Sequence, residues 1–280
     1  MIRITSDSTC DLGKLVEERN IGIKPLQVNL GVDVYSDGVD ITPQDIFAYV
    51  AKTNELPKTS APSIADYEEF FKEQLAFGDE IVHFNISSKS SGSHNFAKQA
   101  AESFNGKVRV IDSMNLSSGQ GLVVLKAADL RDEGKSADEI EEAVVAIRAK
   151  VNTSFIPDRL DYLYKGGRVS GMVKTVAAMF KIHPLIYMEG GQLLPGKKYK
   201  GKMTALIKQY VADLKELYPN YDKSLCFVTH SSADQELVDA AKAAVAEHFQ
   251  FDKVEETIAG SIITSHCGKG TLGVLFIYNK

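Results

Sequence analysis

Five hydroxyl side chains crowd into seven positions, Ser87, Ser88, Ser90, Ser91 and Ser93, interrupted only by Lys89 and Gly92. Before them, Glu80–Ile86 is short and rich in β-branched and aromatic residues, which predicts a strand. After them, Phe96, Ala97, Ala100, Ala101 and Phe104 recur with helical spacing. A strand feeding a helix through a serine loop gathers hydroxyls and free backbone N–H groups in one place, and that combination suits an anion or a carboxylate. The competing role for Ser91 or Ser93 is a helix cap with no ligand at all. A second chemical candidate is His266, in Thr264-Ser265-His266-Cys267-Gly268, where a loop between an apolar stretch and glycines could turn the ring toward a cavity. A lone histidine more commonly fills a structural place. His83 reads as packed in a strand or at its edge and His94 as solvent-facing, while His183, His230 and His248 have no nameable partners.

Three motif resemblances fail on context. Gly196–Lys202 fits GxxxxGK, but Met203 follows where a magnesium-binding Ser or Thr belongs, and a hairpin precedes it. Gly268–Gly273 spells GxGxxG yet runs into Val274-Leu275-Phe276-Ile277-Tyr278, a β-prone end and not a helix. No GxSxG elbow occurs, so a hydrolase triad would have to be assembled from distant residues.

The elements that must position these groups alternate along the chain. Arg3–Thr5 reads as a strand ending in Ser6-Asp7-Ser8-Thr9, followed by a helix with Leu12, Leu15 and Val16 inward. An extended segment, Ile21–Leu30, is interrupted by Pro25; Thr42-Pro43-Gln44-Asp45 opens a helix, with its cap hydroxyl, first-turn proline and acid. Lys58–Ser63 reads as a loop, and Ser63 with Asp66 starts another helix. Val108–Asp112 is a strand, Leu122–Leu130 lies in a long helix, and Ser136–Ala149 is amphipathic. Repeated strand–helix order predicts a largely parallel sheet flanked by helices. Ligands on such sheets lie at the carboxyl ends of the strands, which here carry Thr5–Thr9, the serine run and Asp112-Ser113.

The second half differs in texture. Lys165–Gly171 is a glycine-flanked basic turn containing Arg168, and Glu189-Gly190-Gly191 between two apolar runs signals a hairpin. Lys197–Lys202 reads as a lysine-rich connection into a helix over Ala205–Leu217; Leu225–Thr229, Val254–Ile258 and Thr271–Tyr278 read as strands, and Ala233–Phe249 as a helix. The fold class is therefore α/β, with a second α/β domain built on a mixed sheet. A boundary near Val151 separates residues 1–150 from 151–280.

Composition limits the function. At 280 residues, 44% hydrophobic and 25% charged, the chain is that of a soluble globular protein, and a net charge of −5 gives no global attraction to nucleic acid or anionic membrane. Cys10, Cys226 and Cys267 cannot all pair and have no metal-ligand spacing, so they read as reduced thiols in a cytoplasmic protein. No apolar run approaches a membrane span, and Met1 leads almost directly into the first strand, without a signal-peptide core.

Taken in order, Thr5–Thr9, Lys58–Ser63, Ser90–Ser93, Val110–Ser113, Tyr162–Ser170 and His266–Gly270 resemble the successive signatures of the DegV family across nearly the whole chain. The resemblance implies a bacterial fatty-acid-binding protein of two α/β domains, with one long-chain fatty acid such as palmitate or oleate between them. It further implies a partner, an ATP-dependent fatty-acid kinase that phosphorylates the bound carboxylate for phospholipid synthesis, and no cofactor or metal. Carried over, the carboxylate falls to Thr59 or Ser60 and to Ser93, with Ser91 in the same loop, and His266 stands near the head group. Arg168 matches a family arginine. Lys200 stands where the family often has an arginine near the kinase-facing mouth, and lysine keeps the charge but not the bidentate fork. Ala61 replaces a frequent glutamine. Met172–Phe180 is a candidate tunnel wall or ordinary core.

The physical chemistry agrees: burying an acyl chain contributes roughly 0.8 kcal/mol per methylene, on the order of 10 kcal/mol for a long chain before ordering costs. Its carboxylate needs donors. Hydroxyls supply them without a full salt bridge, leaving an oxygen nucleophilic enough to accept a phosphoryl group. The alternatives are a serine-dependent acyl hydrolase using the same loop with His266, a kinase, and a fatty-acid-sensing regulatory module.

Overall fold

The computed structural model describes residues 1–169 and 182–279. The stretch Met172–Phe180 therefore lies outside the described residues.

The chain opens with β1 (Ile2–Asp7), a 3-10 turn at Ser8–Cys10 and a single helical turn, α1 (Leu15–Glu18). A longer helix was expected here; Asp11 and Gly13, at φ 47° and 54°, break the helical path before Leu15. Next come β2 (Gly22–Lys24), β3 (Gln27–Leu30), β4 (Asp33–Ser36), α2 (Pro43–Thr53), β5 (Lys58–Ser60) and α3 (Ile64–Gln74). Then follow β6 (Glu80–Asn85), α4 (Ser93–Ala101), β7 (Val108–Asp112), α5 (Ser117–Asp132) and α6 (Ala137–Ile147). Reciprocal caps start three of these helices: Thr42 with Asp45, Ser63 with Asp66, and Ser136 with Glu139.

β2, β1, β6 and β7 form a four-stranded parallel sheet in that order. The carboxyl ends of β1, β6 and β7 consequently lie side by side, as the strand–helix alternation predicts. Lys58–Ser60 is not the expected loop. As β5 it pairs antiparallel with β3, Thr59 opposite Val28, in a small sheet ordered β4-β3-β5. A three-residue strand has too few alternating positions to show its period in sequence.

The second half supplies β8 (Val151–Asn152), β9 (Ser154–Ile156), α7 (Asp161–Gly166), β10 (Ile182–Glu189), β11 (Gln192–Lys200), α8 (Met203–Leu217) and β12 (Tyr221–His230). It closes with α9 (Gln235–His248), β13 (Val254–Ile258), α10 (Ser261–Cys267) and β14 (Leu272–Tyr278). These strands make a seven-stranded mixed sheet ordered β11-β10-β9-β14-β12-β13, with β8 also on β14. The hairpin joining β10 to β11 turns at Gly190 and Gly191, both at positive φ, 56° and 81°, a conformation glycine adopts without strain. Lys197–Lys200 belong to β11, so most of the expected lysine-rich connection is strand.

Between the two large sheets lies α5, buried from Ser117 through Leu125 and again at Ala127 and Ala128. A helix covered on every side has no polar face to mark its period. Its Leu122, Val123 and Val124 join Ile4 and Phe84 of the first sheet to Phe227 and Leu275 of the second in one core. Close approach sets two of its residues: a Cβ on Gly121 would stand 2.6 Å from the Cys10 carbonyl oxygen, and one on Gly119 only 1.9 Å from Thr153 Oγ1.

Candidate functional site

A cavity of about 230 Å³ opens where the serine loop, β5, α10 and the inner face of the mixed sheet meet. One wall is the small apolar cluster of Ile86, Leu116, Phe155, Leu163, Leu193 and Ile263. Leu26 and Ile262, from a separate cluster, face it. On β14, Gly273 and Leu275 line the cavity on the same strand face, and Leu275 divides it from the main core. A Cβ on Gly273 would meet the Ser154 carbonyl oxygen at 2.5 Å, so the missing side chain is required by backbone approach. That glycine was visible in the rejected GxGxxG match; a glycine inside a strand marks such an approach.

Several polar residues also line the cavity, but their hydroxyls are engaged with the protein. Ser117 donates to Asp11, Thr153 to Asn115, Thr229 to Ser118 and Thr271 to the Cys267 carbonyl, while Ser154 lies 2.9 Å from Asn152 Oδ1 and Ser231 pairs with Thr264. These positions present mainly carbon to the interior.

The exception is the end formed by β5 and α10. Thr59 Oγ1 and His266 Nε2 lie 2.9 Å apart, joining residues 207 positions distant in sequence. His266 is not in a loop, as its neighbouring glycines suggested, but in the last turn of α10; Gly268 follows as the helix end. Its Nδ1 is sealed from solvent and has no hydrogen-bond partner among the described residues. That nitrogen packs against Gly166, where a Cβ would come within 2.8 Å. Burial, with the nearby Arg168 charge, lowers the His266 pKa to about 4. The imidazole is therefore neutral near pH 7. A neutral imidazole and a threonine together own two polar protons, and their mutual hydrogen bond uses one. With the proton on Nε2, the Thr59 hydroxyl remains to donate into the cavity; with it on Nδ1, Thr59 donates to Nε2 and the remaining N–H faces Gly166 instead.

Arg168 lines the same cavity, and its guanidinium donates to the Gly166 carbonyl. Ser60 also lines it and donates to Gln27 Oε1 at 3.1 Å. In the serine loop, Ser91 reaches the cavity while Ser93 is fully buried behind it, the two hydroxyl oxygens 3.0 Å apart. Neither caps α4 in the usual way: the cap residue is Gly92, without a side-chain hydrogen bond, although Ser91 Oγ accepts the Ser93 N–H. Ser87 donates to the Gly191 carbonyl at 2.6 Å, tying this loop to the β10–β11 turn. Lys200 is not among the cavity residues; it is exposed at the end of β11. His94, expected at the surface, is part-buried, and His83 is fully buried among Tyr67, Phe70 and Phe71. Among the described residues, no group of three or more His, Cys, Asp or Glu is placed to hold a metal.

Fold and cavity together define an α/β protein in which a parallel and a mixed sheet enclose an apolar space with hydroxyls and a neutral imidazole at one end. The chain belongs to the DegV family: the family profile, described as uncharacterised protein of the DegV family, matches residues 1–279. A DegV domain-containing protein of Clostridium acetobutylicum is 31% identical over 279 residues, covering 99% of this chain and 98% of that one. One from Listeria monocytogenes is 32% identical over 279 residues, 98% of each. Among solved structures, a fatty-acid-binding DegV family protein from Thermus thermophilus superposes with a TM-score of 0.92 at 26% identity, covering 99% of both chains. A stearic-acid-binding protein from Eubacterium ventriosum gives 0.84 at 27% identity, covering 99% of this chain and 98% of that one.

Proposed function

We propose that the chain carries one long-chain fatty acid, such as palmitate or oleate, and presents its carboxylate to an ATP-dependent fatty-acid kinase. The observation that carries this reading is the division within one cavity: an apolar wall with its polar atoms turned outward, against one end where the hydroxyls of Thr59, paired with neutral His266, and of Ser91 stand. The fatty-acid binding of the Thermus and Eubacterium proteins supports the same ligand class. In this reading Thr59, Ser60 and Ser91 contact the head group, Ser93 backs Ser91, and His266 orients Thr59. Arg168, on the cavity, is assigned to its mouth, and Lys200, exposed outside the cavity, to the surface where the kinase docks. Residues 1–150 supply the head-group loops and 151–280 close the cavity.

Phosphoryl transfer to the carboxylate needs no protein residue as nucleophile: a carboxylate oxygen attacks the γ-phosphorus of ATP, ADP leaves, and an acyl phosphate results. This role makes the chain a substrate-presenting subunit for phospholipid synthesis and not itself an enzyme. For a hydrolase, His266 would need an acid on Nδ1, and it meets Gly166 there instead. Among the described residues no helix is long and apolar enough to cross a membrane. Three buried free thiols suit the cytoplasm.

Loading the protein with oleate, adding a fatty-acid kinase and ATP, and trapping acyl phosphate with hydroxylamine tests the presenting role. Formation of the oleoyl hydroxamate is expected. Oleate that stays bound and unphosphorylated with every fatty-acid kinase tried would overturn presentation and favour the sensing role.

A further inference from the structure

Helix α10 carries His266 in its last turn and places Ile262 and Ile263 on the cavity. Its start has no cap of its own, because the cap position is Gly260. Two carboxylates from remote segments take that place. Asp11 Oδ1 accepts the Gly260 N–H at 2.9 Å, and Asp37 Oδ1 accepts the Ser261 N–H at 2.7 Å. Each is steadied by a hydroxyl on its other oxygen: Ser117 donates to Asp11 at 2.5 Å and Ser8 to Asp37 at 2.8 Å.

Both acids are buried, 6% and 4% exposed. Burial raises both carboxyl pKa values, that of Asp11 to about 8. Asp11 and Ser117 also hold left-handed backbones, φ 47° and 53°, which side-chain-bearing residues adopt at a cost. A local Ser or Asn cap would have started the helix without burying two acid side chains. What the distant pair adds is location: it fixes α10 to the N-terminal half at one end, while Thr59 meets His266 at the other.

We propose that Asp11 and Asp37 are positioning residues of the carboxylate site, holding the start of α10 so that His266 stands within hydrogen-bond reach of Thr59. This rests on the fatty-acid reading above. The test compares oleate with oleyl alcohol, which shares the chain but lacks the carboxylate, in wild type, Asp11→Ala and Asp37→Ala. Loss of positioning should weaken oleate by about tenfold, the worth of one hydrogen bond to a charged group. Oleyl alcohol, which feels only the shift of Ile262 and Ile263 on the same helix, should weaken less than oleate. The His266 ring resonances should shift in both variants. Where alanine prevents folding, Asp11→Asn and Asp37→Asn keep the shape and an acceptor oxygen, and should show a smaller change of the same sign. An oleate-to-alcohol affinity ratio equal to wild type in folded variants would overturn the proposal. Wild-type protein that takes up no oleate would overturn the fatty-acid reading itself, and this inference with it.

Discussion

At the residue scale the site depends on keeping His266 uncharged. Its pKa of about 4 in the folded chain compares with roughly 6.5 for an unperturbed imidazole. Between those values the unfolded chain binds a proton that the folded chain refuses, so stability rises with pH through this window and is lost as pH falls toward 4. The effect is on the order of 3 kcal/mol when the whole window is crossed. His83, lowered by burial to about 3, acts in the same direction. His266→Gln should therefore flatten the acid limb of urea-derived stability between pH 6.5 and 4; an unchanged limb would show that the ring is ordinarily solvated. A bound carboxylate beside the ring favours its charged form, so loading with oleate should raise the His266 pKa in an NMR titration. Thr59→Val keeps the shape and removes the hydroxyl. It should reduce oleate affinity by about tenfold and lower the melting temperature modestly, because His266 Nε2 loses its partner.

At the element scale, the capped helices, the hairpin, the longer strands and a helix over Leu122–Leu130 were legible, while the short strand β5 and the burial of α5 on every side were not. Thr42, Ser63 and Ser136 announce their helices because cap and acid stand three residues apart, and Gly190-Gly191 announces its hairpin. Thr59 was recognisable as a head-group candidate through the family signature, yet the strand presenting it was too short to read. The pairing of Thr59 with His266, and of Asp11 and Asp37 with α10, spans more than 200 residues in each case, beyond any local pattern. Ser117 likewise gives no hint of its left-handed backbone. The burial of α5 from both sheets depends on two close approaches, and Gly121→Ala should cost about 1–3 kcal/mol through overpacking. Equilibrium urea unfolding checks it; a neutral result would mean that α5 can shift away from Cys10.

At the scale of the whole molecule, one core joins the two sheets, while α8 and α9 pack a second core of their own on the mixed sheet. Phe227 and Leu275 of the mixed sheet pack with Ile4, Phe84 and Val123 from the first half. A fragment of residues 1–150 would leave one side of α5 bare, so it should lack the cooperative thermal transition of the full chain; a sharp, independent transition would contradict the shared core. The same arrangement makes the cavity a property of the complete chain, since Thr59 comes from one half and His266 from the other. The central claim is that this cavity holds one fatty acid. Native mass spectrometry of the purified protein, followed by denaturing extraction, tests it most directly. The account predicts a single stoichiometric adduct that extracts as a long-chain fatty acid, or uptake of one palmitate or oleate by apo protein. A clean apo mass with no uptake of either would contradict it.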